Sequence, residues 1–411
     1  EYILDTLQNY KKRPNPTTHL YNELLKCTEE IITSQKTLLG LEATPEFITF
    51  HKEIKDGFKG ILFADLDKML DAVVNIDREP DSIQTKQKGI YYTQAPQDCM
   101  DAFSHCYQES KKAGSIPFDS LVIELVNKIT DTFVKLGDNA IHEDKRYIIA
   151  TCNNSMDAVN RIGDFAKTYQ NTIVEEYRIQ INQRDGTQLD EKSAKSQFTR
   201  ELQKPWNDTK NRCLQALFDI ILSRIISADE DFQKDFNDKL DNIQSELEGL
   251  STNLYQPLYK KFLSVFVHKL VPHFISSFFS LDKIKTQDEF DNIVSQECGS
   301  MINLFNRLAP GLCKQSVNTL TQFRDLMTDS YSIAHECYSI IIEEFPDFTP
   351  NLANGLLKLR PDHKDGEFKG ILENLIQMYN SIDQNNRSSE VNFNQELAKV
   401  GFLEKKKFAK S

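Results

Sequence analysis

Glycine and proline are scarce in this sequence, and their scarcity narrows the fold class. Only 15 Gly and 13 Pro occur among 411 residues, whereas hydrophobic residues make up 39% and charged residues 27%. Sheet-rich domains need many tight turns, which draw heavily on these two residue types. No run alternates in the manner of a half-buried strand, and no fixed-period repeat occurs. The sequence therefore predicts an all-α fold.

Paired cysteines and clustered metal ligands are also missing. The eight cysteines are scattered without a CxxC pair, which is typical of reduced, mostly buried thiols in a cytosolic protein rather than of disulfides or a zinc site. His268 and His273 are five positions apart, so their rings point to different faces of a helix. We expect both histidines to be core or interface residues rather than metal ligands.

Signatures of common catalytic sites do not occur. The sequence has no GxxxxGK[ST] loop, no GxGxxG after a strand, no HExxH and no GxSxG. His335 and Cys337 are two positions apart and diverge on a helix, which makes a nucleophilic Cys–His pair a poor interpretation. The prediction is a protein that is not an enzyme; the alternative is an enzyme whose site forms between helices from distant residues.

A long apolar run free of charge is absent as well. The most apolar segment, residues 262–281, places Lys269 near its middle, and a lysine at the centre of a membrane span costs about 2.5–3.5 kcal/mol. We interpret this segment as the buried central helix of a bundle. The net charge of −12 disfavours binding to nucleic acid or to an anionic membrane by the body as a whole.

One basic segment, near the C-terminus, could still contact lipid weakly. "FLEKKKFAK" places Lys405, Lys406, Lys407 and Lys410 among apolar residues, and each lysine near an anionic surface contributes about 1 kcal/mol. We predict at most weak peripheral membrane contact, and the alternative is a solvated chain end.

Apolar residues at helical spacing dominate what is present. A helix is predicted from Thr17 or Thr18 to Gly40, and the next is expected to begin with Thr44 as its cap and Pro45 in its first turn. A long helix is predicted from Asp144 to Ile181.

A polar joint near residues 226–232 divides the predicted helices into two bundles, 1–228 and 229–411. We expect these bundles to follow one another in an elongated rod. The sequence begins at Glu1 in polar surroundings, so we expect the chain to be the C-terminal part of a longer polypeptide.

Two consecutive asparagines lie inside the predicted long helix, where asparagine lowers helix propensity. We take Ile148, Cys152, Ser155 and Val159 as the inward seam. Asn154 then falls about 200° from Cys152 at 100° per residue. Asn154 is thus a candidate for solvent exposure or a partner contact. Asn153 lies at the margin of the seam, and we expect it to hydrogen-bond a neighbouring loop or helix end.

Residues 77–92 lack periodicity and are predicted to be a loop.

Several segments resemble one known family in the same order along the chain. They are residues 77–103, "HEDKRYIIATCNNSMDAVNRIGDF" (142–165), "CLQALFDIILSRI" (213–225), residues 240–279, and "LANGLLKLRPDHKDGEFKGIL" (352–372). This succession resembles the C-terminal half of the exocyst complex component 3 family, a large tethering subunit of secretion.

The resemblance implies a non-enzymatic subunit that tethers vesicles at the plasma membrane before SNARE-driven fusion. It also implies binding to other exocyst subunits and to SNARE and SM-type fusion proteins, a cytoplasmic and peripheral location at sites of secretion, and no cofactor. The alternatives are a SNARE-priming module of the Munc type and a subunit of another tethering complex, which share this helical architecture.

Overall fold

The computed structural model describes residues 2–12, 17–85, 89–112, 120–141, 144–225, 235–280, 284–308, 310–381 and 392–395. These residues form fifteen α-helices and one antiparallel pair of two-residue strands. The all-α prediction is confirmed. The chain divides into two compact units, Glu1–Gln215 and Ala216–Ser411. The boundary predicted near residues 228 and 229 lies outside the described residues.

The helices of the first unit are α1 (Tyr2–Lys11), α2 (Thr18–Leu39), α3 (Pro45–Asp77), α4 (Ala95–Lys112), α5 (Leu121–Ala140), α6 (Lys145–Thr168), α7 (Glu175–Asp185) and most of α8 (Glu191–Ile225). Those of the second unit are the end of α8, α9 (Phe236–Asn253), α10 (Gln256–Ser277), α11 (Gln287–Leu308), α12 (Lys314–Thr328), α13 (Ala334–Glu344), α14 (Pro350–Leu357) and α15 (Asp365–Ser381).

The ends of the first helices follow the capping chemistry of the sequence. Thr17 accepts a hydrogen bond from the backbone of Leu20 (3.2 Å) at the start of α2. Gly40 ends α2 with a φ of 63°, a left-handed conformation that favours glycine. Thr44 caps α3 and Pro45 occupies its first turn. These predicted boundaries are confirmed.

Gly57 has a packing role inside α3. A Cβ atom at this position would lie 2.5 Å from the ring of Tyr21 on α2, which is closer than van der Waals contact allows. The glycine therefore lets α2 and α3 approach closely, and α3 remains helical through it.

The long helix predicted from Asp144 to Ile181 is present with one interruption. Residues 170–174 form a π-helical turn between α6 and α7, and the backbone N–H of Val174 donates to the carbonyl of Tyr169, five residues earlier. A π-turn changes which residues face the core. Ile173 and Val174 are both buried as a result.

The segment predicted as a loop at 77–92 contains regular structure. A 3₁₀ turn covers Pro80–Ser82, and β1 (Gln84–Thr85) pairs with β2 (Tyr91–Tyr92) in the register Gln84 opposite Tyr92. We call β1 and β2 the ladder. Strands of two residues carry no alternating pattern that the sequence could reveal.

The core of the second unit is built around α10, as predicted for the apolar run. Phe266, Val267 and Leu270 are fully buried. Lys269 is only 9% exposed, and its ammonium lies 4.9 Å from the centre of the Phe218 ring, so the charge faces an aromatic surface. Among the helices that the structure describes, none combines the length and apolarity needed to cross a bilayer.

Candidate functional site

Five buried polar residues from three elements of the first unit meet beside the ladder. Asp77 is the last residue of α3, Thr93 follows β2, and Tyr147, Asn153 and Asn154 lie in the first half of α6. All five are at most 5% exposed. We call them the anchor cluster.

Four members of the anchor cluster, Asp77, Thr93, Tyr147 and Asn154, are joined to one another by hydrogen bonds. The hydroxyls of Thr93 and Tyr147 each donate to one oxygen of the Asp77 carboxylate. Asn154 accepts from the Thr93 backbone N–H (3.1 Å) and donates its amide to the Thr93 hydroxyl (2.7 Å). Thr93 is therefore held from both sides, by α3 and by α6.

Asn153 ties the ladder itself to α6. Its side-chain amide donates to the backbone carbonyl of Tyr91 in β2 at 2.8 Å. The expectation that Asn153 bonds a neighbouring loop is confirmed. A hydrogen bond made by a buried side chain offsets the few tenths of a kcal/mol that asparagine loses to alanine in a helix.

The expectation that Asn154 faces solvent or a partner is wrong, because Asn154 is 3% exposed and its amide is engaged by Thr93. Helical angles place Asn154 opposite the core only if α6 has a single buried seam. Residues 91–93 cover a second face of this helix, so Asn153 and Asn154 are buried there, between the seam residues Cys152 and Ser155.

Burial raises the pKa of the Asp77 carboxyl above its ordinary value, while the hydrogen bonds from Thr93 and Tyr147 act in the opposite direction. The charge of Asp98 raises the pKa further. Both donors to Asp77 are neutral hydroxyls, and the residue stands at a helix C-terminus, where the helix dipole disfavours negative charge. The cluster therefore holds a carboxyl that resists ionisation.

The outer side of the ladder carries aromatic and cationic groups. The guanidinium of Arg146, an exposed residue of α6, lies 5.3 Å from the centre of the Tyr91 ring. Tyr92 donates its hydroxyl to the side chain of Gln84 across the ladder at 2.9 Å. The anchor cluster thus fixes a small surface that carries two half-buried tyrosines.

A second buried carboxylate lies in the second unit. The side chain of Glu344, at the end of α13, is 1% exposed. Its Oε1 lies 2.6 Å from Nδ1 of His268 on α10 and accepts from Ser316 on α12 at 2.9 Å. Thr319, also on α12, donates to Oε2. We call Glu344, His268, Ser316 and Thr319 the core cluster.

The sequence assigned His268 and His273 to the core or an interface, and the structure agrees. His273 is 2% exposed, and the His268 side chain is 20% exposed and stacks on Phe345 with the ring centres 4.8 Å apart. The sequence patterns considered above do not single out Glu344, because it is one of two adjacent glutamates in an acidic helix. Its spacing, three residues after Ile341 and seven after Cys337, places it on the buried face and could have revealed it.

Residues that could have supported catalysis are not brought together. Burial raises the pKa of the Cys337 thiol to about 11, and this side chain is 2% exposed, so the thiolate is scarce at neutral pH. His335 is exposed and lies 3.9 Å from Glu336 instead. In the part of the chain that the structure describes, no three His, Cys, Asp or Glu side chains converge in a way that could hold a metal ion.

An open cleft of about 310 Å³ lies between α9 and α11. Its titratable side chains are Asp241 and Arg307, and Arg307 donates to Gln244. Ser300 supplies the only hydroxyl among the residues that line the cleft, and no histidine that could act as its base lies among them. The lysines proposed for weak membrane contact, Lys405, Lys406, Lys407 and Lys410, lie outside the described residues.

The fold has counterparts among solved structures. It is similar to the crystal structure of the C-terminal domain of the exocyst subunit Sec6p, with a TM-score of 0.65 and 14% identity over 86% of this chain and 97% of that one. The crystal structure of M-Sec is similar with a TM-score of 0.54 and 11% identity, over 96% of this chain and 67% of M-Sec. No protein-family model and no curated protein sequence matches the chain. At these identities the similarity is one of fold.

Proposed function

We propose that this chain is a non-enzymatic subunit of an exocyst-type vesicle-tethering complex. The observation that carries the proposal is the correspondence of fold over 97% of the Sec6p C-terminal domain. The ordered sequence segments that resemble the exocyst complex component 3 family support the same interpretation.

The finer proposal is membership of the exocyst complex component 3 family and a role in exocytosis. In this role the chain binds other exocyst subunits, plasma-membrane SNAREs and SM proteins from the cytoplasm at sites of secretion. Recognition would use the exposed faces of amphipathic helices. The arrangement of the bundles in an elongated rod, which would hold two membranes apart, belongs to this proposal.

Affinity purification of the tagged full-length protein from its own cells, followed by mass spectrometry, tests the proposal. We expect the other large tethering subunits in near-equal amounts. Recovery of SNAREs without those subunits would instead support a priming module of the Munc type. A bait that is folded by circular dichroism and recovers neither class contradicts both.

The basic segment near the C-terminus supplies at most weak lipid contact in this proposal. If the segment contacts lipid, sedimentation with vesicles containing anionic lipid should fall when Lys405, Lys406 and Lys407 are replaced by glutamate, because about 1 kcal/mol per lysine is lost near such a surface. Unchanged sedimentation of this triple variant would show that the segment does not contribute to lipid binding.

A further inference from the structure

A short segment near the C-terminus inserts an aromatic side chain into the second unit. Residues 392–395 lie against the connection between α13 and α14, which we call the receptor loop (residues 345–348). Phe393 is fully buried, and its ring meets those of Phe345 and Phe348 edge to face, with centres 5.6 and 5.1 Å apart. Edge-to-face pairs of this kind are favourable beyond the apolar area that they bury.

Asp347 recognises the backbone of the inserted segment. Its two carboxylate oxygens accept the backbone N–H groups of Phe393 (3.0 Å) and Asn394 (2.7 Å). The side-chain amide of Asn394 donates to the Asp347 carbonyl (3.1 Å), and Asn392 accepts from the backbone of Gln395 (2.9 Å). Three consecutive N–H groups at the start of a helical turn are thus satisfied, two of them by a charged acceptor.

The receptor loop is shaped by bonds that do not involve the inserted segment. The backbone of Phe348 donates to the carbonyl of Phe345, and Tyr338 on α13 donates its hydroxyl to the carbonyl of Phe348, both at 2.9 Å. Thr349 caps the next helix, α14. The loop is therefore preorganised for a ligand, which lowers the entropy lost on binding.

We propose that the receptor loop is a peptide-recognition site and that residues 392–395 occupy it as an intramolecular ligand. The class of partner segment that it fits has asparagine followed by an aromatic residue at the start of a helical turn. Because a ligand on the same chain competes at a high effective concentration, such a partner binds only when the segment is displaced. The inserted segment is then an autoinhibitory contact.

Fluorescence anisotropy with a labelled peptide of residues 388–400 (SSEVNFNQELAKV) tests this proposal on the full chain. Phe393→Ala removes the ring that fills the site, so we expect this variant to bind the peptide at least about tenfold more tightly than the unchanged chain does. Circular dichroism and thermal unfolding verify that the variant is folded.

A second variant that should release the inserted segment controls for misfolding of Phe393→Ala. Asn394→Pro removes one N–H bonded to Asp347 and the Asn394 side chain without changing the core, and it should also raise peptide affinity. Adding Asp347→Ala to either opened chain should abolish the gain, and a peptide with alanine in place of its phenylalanine should not bind.

Equal affinity of the unchanged and both opened chains for the peptide overturns the proposal. Binding to an opened chain that is insensitive to Asp347→Ala also overturns it, because the peptide would then lie elsewhere. No tethering subunit takes part in this measurement, so its outcome is independent of the proposed function.

Discussion

Among the residues that the structure describes, each unit buries one carboxyl group in a network of side chains, and the two networks differ in their donors. Asp77 and Glu344 are 5% and 3% exposed. Asp77 receives only neutral hydroxyls, from Thr93 and Tyr147. Glu344 receives two hydroxyls and also pairs with His268. A carboxylate accepts only, so the His268 ring carries a proton on Nδ1 when Glu344 is ionised.

The two networks also connect different parts of the fold. The core cluster joins α10, α12 and α13, which pack in the interior of the second unit. The anchor cluster ties the ladder, a peripheral element, to α3 and α6. A buried network stabilises when every member is satisfied and destabilises strongly when one is removed. We infer that the core cluster maintains helix packing and the anchor cluster fixes the position of one surface.

Replacing Glu344 should lower the stability of the chain more than any other substitution considered for the two networks. Glu344→Ala leaves His268, Ser316 and Thr319 without their common acceptor in the interior, and we expect the free energy of unfolding to fall by about 3 kcal/mol or more. Urea unfolding measures the loss. The neighbouring Glu343 is exposed, and Glu343→Ala should change stability by less than about 0.5 kcal/mol. Equal stability of the two variants refutes the role of the core cluster.

Asn154→Ala should have the next largest effect. It leaves the buried N–H of Thr93 without its acceptor, which costs about 1–3 kcal/mol, and the gain in helix propensity of a few tenths of a kcal/mol does not compensate. The Thr93 amide should also exchange its hydrogen faster, because the ladder loosens on α6. Asn160→Ala, at an exposed position of the same helix, is the control, and equal exchange in the two variants contradicts the anchoring role.

The raised pKa of Asp77 predicts a pH dependence of smaller size. The folded chain binds this proton more tightly than the unfolded chain, so the contribution of Asp77 to stability grows as the pH falls through its folded pKa. The free energy of unfolding of the unchanged chain minus that of Asp77→Asn should therefore increase as the pH is lowered from neutral toward 3.8, the ordinary pKa of an aspartate. A difference that is constant or shrinks over this range shows that Asp77 is ordinarily ionised.

Arg146→Ala should have the smallest effect. An exposed cation over a tyrosine ring contributes about 0.5–1 kcal/mol, and this pair lies outside the anchor cluster. A double-mutant cycle with Tyr91→Leu isolates the contribution of the pair. A coupling energy as large as the loss in Asn154→Ala would mean that the outer surface, rather than the buried network, holds the ladder.

Helix starts with strong local chemistry could be predicted from the sequence. Thr44 followed by Pro45 specifies a cap and a first turn within a few residues, and the structure places α3 there. The bond from Asn153 to a neighbouring segment was predicted for a similar reason, because a polar group at the margin of a buried seam needs a partner.

Features that depend on contacts between distant segments could not be predicted. Asn154 is buried because residues 91–93 cover a second face of α6, and Thr93 lies 61 positions away in sequence. Asp77 reads as an ordinary acidic residue until its donors from distant segments are in place. The spacing of Glu344 indicates the buried face of α13 but does not identify its partners on α10 and α12. The two-residue strands of the ladder are too short for periodicity, and the π-turn after α6 leaves no signature in residue type.

The proposed role as a tethering subunit is tested most directly by reconstitution. The purified chain is mixed with separately purified exocyst-type subunits, and the mixture is analysed by size-exclusion chromatography with a SNARE-assembly assay in parallel. If the chain is a tethering subunit, it should form a stable stoichiometric complex with at least one large tethering subunit. A folded chain that migrates apart from every such subunit, yet accelerates SNARE assembly alone, contradicts the proposed role.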